Sequence, residues 1–422
     1  MQKFKDSSFN YSLELLDYSK YRARYLNRQI IMLLLTNKVL PDVLNTLQID
    51  NIQDLMKIDN LDTNLFRYVN NDHHLSPTRD LLQGCFEANV DVQKEPFVRG
   101  ILETIRVRSF INLKEKCNIL VKDAARLTGV LDEYSLLQPG QIYVCISESN
   151  GVKKEDYKVI SGRVIVTKNP CLHPGDIRIL EAVDNIEVRK RFEHLVNCVV
   201  FPAKGNRPHT DEIAGSDLDG DQYFVSWDPR LIPRRVADPM NYIAKKRIEQ
   251  EVSNEAIINF FVEYTNNDVL GKIDNSHLAF ADQDSEKFAR NPLCKELAEL
   301  HSDAVDYAKS GVCPSVKYLT FAKLWPDYMG KDFELSYESK NILGELFRDI
   351  KFEIENRGIK DIYKKGLKIS SDEIQIDEDM IYEGFENHLE KSFEILKEFY
   401  KDLRALMEFF SIQTEYEVFS GN

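Results

Sequence analysis

Three carboxylates stand at alternate positions in the segment Gly215-Ser216-Asp217-Leu218-Asp219-Gly220-Asp221. In an extended or gently curved backbone, side chains at i, i+2 and i+4 point to one side. The glycines at 215 and 220 permit the curvature that gathers them around one point. Carboxylates brought that close repel one another unless a cation neutralises them, so a divalent metal is the natural occupant. An all-oxygen donor set favours Mg²⁺, Mn²⁺ or Ca²⁺ over zinc.

Four readings compete for this cluster. A solvated acidic turn is the plainest, but such turns rarely set their carboxylates between glycines ahead of an apolar Tyr223-Phe224-Val225 run. An EF-hand loop wants glycine at its sixth position and glutamate at its twelfth; here those positions hold Gln222 and Asp228. A dehalogenase-type phosphatase motif follows a buried strand, whereas Pro208-His209-Thr210-Asp211-Glu212 is no such strand. The fourth is a two-metal nucleotidyltransferase site.

The elements that must position the cluster follow from the period of the apolar residues. Up to about residue 110 the pattern is helical, with Leu26, Ile30, Leu33 and Leu34 at helical spacing and Pro41 and Pro96 as breakers. Across 111–232 it shifts to short β-branched runs at 141–146, 163–167, 177–183, 197–201 and 222–225. The turns between them carry Pro139-Gly140, Asn150-Gly151, Ser161-Gly162 and Pro174-Gly175. That pattern predicts a small β-barrel or compact β-domain. From 233 to 422 the helical period returns. Phe385, Leu389, Phe393, Leu396, Phe399, Leu403, Leu406 and Phe410 form a stripe there, expected to be the packed face of a core helix.

Composition narrows the class. A chain of 422 residues with 43% hydrophobic and 29% charged residues is long enough for two or three domains with a real core. The net charge of −14 argues against a surface that coats nucleic acid. The charge is uneven, however: eleven of the Lys and Arg residues between Lys153 and Arg207 lie just ahead of the aspartates. The seven cysteines form no CxxC pair, which disfavours a zinc ribbon or a disulfide framework and fits a reducing compartment. With no signal-peptide core and no apolar run long enough for a bilayer, a cytosolic or nuclear protein without membrane partners is expected.

The surroundings of the triad decide between the readings. Residues 197–212 (NCVVFPAKGNRPHTDE) lead into 215–227 (GSDLDGDQYFVSW), and this region closely resembles the active site of the cell-encoded RNA-dependent RNA polymerases of eukaryotic RNA silencing. Residues 168–178 (KNPCLHPGDIR) look like a second hallmark of that family, and 127–133 (LTGVLDE) with 140–144 (GQIYV) like a third. Segments 25–31, 268–273, 300–306 and 337–344 fall in the family's order, so the resemblance covers nearly the whole chain. The DLDGD motif is the specific part; the others add weight through their order.

The resemblance implies an α+β architecture in which a double-psi β-barrel, the second of two facing catalytic barrels, is flanked by mainly helical regions. It implies template-directed transfer of nucleotides from ribonucleoside triphosphates to an RNA 3′-hydroxyl, in the service of silencing. Asp217, Asp219 and Asp221 would bind Mg²⁺, or Mn²⁺ in its stead, in a two-metal mechanism whose ions lie roughly 3.5–4 Å apart. Lys168, Lys204, Arg207 and His209 are candidates for phosphate or template contacts, because cations there would stabilise transferring charge. Gly205 beside Lys204 would let a phosphate approach the backbone. His173 and Asp176 lie inside the second hallmark, with a structural role as the alternative. RNA template, product and triphosphates are the expected partners, with little sequence preference, together with RNA-silencing proteins.

One departure stands out. A first barrel contributing basic residues to the same site should lie upstream of Tyr25, where this sequence has only a short segment. A partial gene, a split gene completed by an upstream-barrel chain, or a shortened paralogue is therefore expected. A catalytically silent RNA-binding or assembly subunit is the competing function, and an unrelated Mg²⁺-dependent phosphohydrolase a third.

Overall fold

Strands form in the middle of the chain because apolar residues alternate there between two destinations. Ile142, Val144 and Ile146 of one run, Val164 and Val166 of another, and Tyr223 and Val225 of a third all pack into a single interior cluster. The residues between them point the other way: Tyr143 and Cys145 meet one outer cluster, Ile165 and Phe224 another. Period-two patterning buried on both faces is what a covered barrel wall requires. The computed structural model describes residues 18–22, 24–58, 65, 68, 76–91, 95–147, 156–242, 253–266, 269–307, 320–331, 335–356, 384–410 and 412.

The strands are β1 (Ala124–Leu131), β2 (Gln141–Ile146), β3 (Lys158–Val159), β4 (Gly162–Lys168), β5 (Arg178–Ala182), β6 (Cys198–Phe201) and β7 (Gln222–Ser226). They hydrogen-bond in the order β3-β2-β5-β4-β7-β1-β6, and a further pairing of β2 with β6 closes six of them into a ring. Two pairings, β1 with β6 and β2 with β5, are parallel and the other four around the ring antiparallel. This is the closed barrel of the expected double-psi fold in an α+β setting. Five of the seven strands coincide with the runs read from the sequence. The longest, β1, was not among them, because Arg126 and Gly129 interrupt its apolar pattern.

Helices precede, interrupt and follow this barrel along the chain. Before it come α1 (Arg28–Thr36), α2 (Pro41–Met56), α3 (Ser76–Glu87) and α4 (Pro96–Lys116); within it lie α5 (Ile186–Phe192) and the single turn α6 (His209–Glu212). After it come α7 (Asn254–Asn266), α8 (Leu270–Gln283), α9 (Pro292–Val305), the small pair β8 (Trp325–Pro326) and β9 (Ser336–Tyr337), α10 (Ile342–Asn356) and α11 (Glu386–Phe410). The Asn27 side chain caps α1 by accepting from the Ile30 N–H at 2.8 Å. Every residue of α1 from Ile30 to Thr36 is buried, the mark of a central helix. Its apolar residues share one large core with those of α2, α4 and α10 and with the outward side chains Ile165 and Phe224 of the barrel. Each fully buried Val, Leu or Ile contributes roughly 1.5–3 kcal/mol to this packing.

Met1–Asp361 form one unit and Ile362–Asn422 a second. In the second, the apolar stripe of α11 differs from the expectation of a packed core face. Phe393, Leu396, Phe399, Leu406 and Phe410 are exposed, and of the stripe Leu403 alone is buried among the described residues. Among the described residues no helix is long and apolar enough to cross a membrane.

Candidate metal centre

The three aspartates sit on the loop between α6 and β7, and its shape is set from below by Tyr223. This is the first inward residue of β7, wholly buried, with its hydroxyl 2.8 Å from both Ser216 Oγ and the Asp217 carbonyl oxygen. Ser216 Oγ in turn donates to the Thr210 carbonyl at 2.6 Å, tying the loop to α6. Burial pushes the Tyr223 phenol above its ordinary range, so it stays a neutral donor. Opposite it, β1 carries Gly129, where a Cβ would stand 2.4 Å from the Tyr223 ring. The same Gly129 donates its N–H to the Asp221 carbonyl at 3.0 Å. A glycine that weakens the strand pattern of β1 is thus what lets the tyrosine reach beneath the loop.

Above this support the carboxylates converge. Asp217, Asp219 and Asp221 each offer an oxygen within 4.8 Å of the others. The Asp217 N–H donates to Asp221 Oδ2 at 3.2 Å and the Asp219 N–H to Asp217 Oδ1 at 3.3 Å, so the loop curls upon its own side chains. Lys168, the last residue of β4, places Nζ 2.6 Å from Asp221 Oδ2. This ammonium offsets part of the charge that the three carboxylates gather. The donor set, hard oxygens on a partly exposed loop, fits a hard divalent cation.

The triad lines an open cleft. Lys168, His173, Asp176 and Tyr242 also line it, together with Ala298, His301, Ser302 and Val305 of α9. The imidazoles in and near this cleft are held neutral. Burial pushes His173 and His301 down to about 4 and His277 down to about 3. His277 Nε2 faces no hydrogen-bond partner among the described residues. Burial also raises the carboxyls of Asp176 and Asp274, each to about 6.

The structure divides the basic candidates. Lys168 joins the aspartates; Lys204, Gly205, Arg207 and His209 lie on the connection from β6 through α6 and do not line the cleft. Lys204 and Gly205 are exposed, and Gly205 adopts φ +126°, a conformation that suits glycine. Arg207 donates from Nε to Asp211 Oδ2 at 2.6 Å and from Nη2 to the Met240 carbonyl. His209 is engaged at both ring nitrogens: the Gly140 N–H donates to Nε2 at 2.7 Å, and Nδ1 lies 2.7 Å from Glu212 Oε2. His173 and Asp176, set aside in the sequence as possibly structural, line the cleft. Tyr242 and His301 had no signal of their own in the sequence; His301 sat inside a segment noted only for its order.

Comparison with known proteins gives the chain's relatives. The sequence matches the family RNA dependent RNA polymerase over residues 1–350. It is 37% identical to a probable RNA-dependent RNA polymerase 1 of Oryza sativa subsp. japonica, covering all of this chain and 55% of that protein. It is 36% identical to RNA-dependent RNA polymerase 1 of Arabidopsis thaliana, across all of this chain and 37% of that protein. The corresponding protein of Schizosaccharomyces pombe is 31% identical over 99% of this chain and 36% of its own length. The chain therefore spans between about a third and just over half of these relatives. Among solved structures, the RNA dependent RNA polymerase QDE-1 from Thielavia terrestris matches with a TM-score of 0.53 at 18% identity, covering 92% of this chain and 47% of that one.

Proposed function

Because this chain belongs to the RNA-dependent RNA polymerase family, we propose that it carries the metal-binding part of an enzyme that copies RNA from ribonucleoside triphosphates. The observation that carries this reading is the convergence of Asp217, Asp219 and Asp221 within 4.8 Å at the wall of an open cleft. Mg²⁺, with Mn²⁺ as its substitute, is the proposed occupant. Bound there, such ions lower the pKa of an attacking 3′-hydroxyl and neutralise charge on a triphosphate.

The protein's own residues prepare the site. Tyr223, Ser216 and Gly129 fix the loop so that the three carboxylates face the cleft without reorganising at the moment of reaction. Lys168 holds Asp221 in place and sets its ammonium beside the triad, where a polyphosphate oxygen would be stabilised. Lys204 beside Gly205 is proposed to meet RNA or triphosphate backbone as an exposed point charge. Arg207 and His209 are assigned to bracing, since their polar atoms are engaged within the protein. Cellular service in RNA silencing is part of the proposal and rests on the family resemblance.

The test is extension of a primed RNA on an RNA template with ribonucleotides and Mg²⁺. It uses this chain alone and then with an upstream barrel segment supplied, each beside Asp219→Ala. Incorporation that requires template, metal and Asp219 is expected. Absence of incorporation in the complemented reaction, with folded protein and bound metal, would overturn the polymerase reading in favour of a silent subunit.

A further inference from the structure

The metal reading leaves open what holds the entry of the aspartate loop, and a second carboxylate answers that. The loop begins with two successive residues in the left-handed region, Ala214 at φ +52° and Gly215 at φ +59°. For alanine that conformation is sterically disfavoured, so the surroundings must impose it.

They do so through Asp176, only 2% exposed. Its Oδ2 accepts the N–H groups of Leu172 and His173, each at 2.9 Å. Its Oδ1 accepts the hydroxyl of Tyr242, and the backbone N–H of Ala214 stands near enough to favour its charged form. All three of its hydrogen-bond partners are donors, an arrangement that an ionised carboxylate satisfies and an amide cannot. The Tyr242 ring closes the bracket by packing on the next loop residue: a Cβ on Gly215 would lie 2.8 Å from ring atoms.

The segment bearing Tyr242 is itself anchored. Arg207 donates to the Met240 carbonyl, and Arg178 Nη1 donates to the Ala237 carbonyl at 3.1 Å. Gly175, next to Asp176, lies so near that a Cβ there would meet the Asp238 carbonyl oxygen at 2.2 Å. Two elements distant in sequence, the turn at 172–176 and the segment 237–242, thus close on the first two residues of the triad loop.

We propose that Asp176 and Tyr242 are positioning residues for the metal centre: together they clamp Ala214 and Gly215 so that Asp217, Asp219 and Asp221 converge. This rests on the reading of the three aspartates as metal ligands. A clamp of this kind acts on metal affinity, whereas a carboxylate that merely supports the fold would change stability and leave the affinity of the folded protein alone.

The experiment is Mn²⁺ titration, followed by electron paramagnetic resonance, of the whole chain and of Asp176→Asn, Tyr242→Phe and Asp219→Ala. Thermal melts without metal identify a temperature at which each variant is folded. Asp176→Asn is expected to weaken Mn²⁺ binding at least ~10-fold, as loss of groups that orient ligands typically does. Tyr242→Phe, which keeps the ring on Gly215 and removes only the hydroxyl, is expected to weaken it about threefold, the lesser part of the same effect. Wild-type binding no stronger than that of Asp219→Ala would overturn the metal reading itself. Clear wild-type binding with a folded Asp176→Asn within twofold of it would overturn the clamp alone. Should Asp176→Asn fail to fold, unchanged affinity in Tyr242→Phe would overturn the clamp.

Discussion

Two loops on either side of α6 carry charged side chains to different ends. The loop after β6 presents Lys204, Gly205, Arg207 and, at the start of α6, His209; the loop before β7 presents glycines and three aspartates. In the first, Arg207 and His209 spend their hydrogen-bonding capacity on Asp211, Met240, Gly140 and Glu212. In the second, Asp217 and Asp219 stay exposed, and the loop's own polar needs are met from beneath by Tyr223 and Ser216. Charge on a loop becomes a candidate site when other groups hold the backbone and the charged side chains stay open to solvent.

The sharpest way to break this contrast is to remove the central ligand. Asp219→Ala is expected to cut Mn²⁺ affinity by ~100-fold or more, beyond what loss of a merely orienting group costs, measured by titration of the folded chain. Retained affinity would dissolve the distinction between the loops.

Lys168 tests the cation paired with Asp221. Lys168→Met is expected to lower RNA extension in the complemented reaction by ~10- to 100-fold, the scale for losing a group that stabilises transferring charge. Mn²⁺ affinity should hold or rise, because a positive charge beside Asp221 is gone. A parallel fall in metal affinity would instead make Lys168 a structural brace like Arg207.

Behind the cleft, His277 extends the comparison to a buried group with no charge to offer. Its folded-state pKa of about 3 lies below the ordinary value of 6.5, so the neutral form stabilises the fold fully above 6.5. That contribution is lost as pH falls through the interval between them. Between pH 7 and pH 4 the loss is expected to be about 2–3 kcal/mol. Melting temperatures across that range, flatter in His277→Asn than in the wild type, are the check.

The bracing loop should answer in stability. Arg207→Ala is expected to cost about 0.5–1.5 kcal/mol, since it removes the bonds to half-buried Asp211 and the Met240 carbonyl, with Mn²⁺ affinity far less affected than in Asp219→Ala. The smallest effect is expected for Lys204→Ala: no change in melting temperature, and a shallower dependence of RNA binding on salt, by about one unit of the log–log slope.

The sequence by itself determined the barrel's strands wherever their alternation was clean, as at 141–146 and 222–225, because a period of two on a covered wall leaves few other options. It also determined the triad, since spacing alone turns i, i+2 and i+4 to one side. Tertiary structure decided the rest. Strand β1 escaped because Gly129 answers to a ring ninety-odd positions away, which no local pattern encodes. The apolar stripe of α11 was legible as a stripe, but periodicity says which residues share a face and nothing of whether that face is covered. Which cations stand free and which are spoken for depended on carboxylates and carbonyls brought in from other elements, as Met240 is to Arg207. Likewise, Asp176 shows its role only when Tyr242 and the start of the aspartate loop arrive around it, because contacts across such separations exist only once the chain has folded.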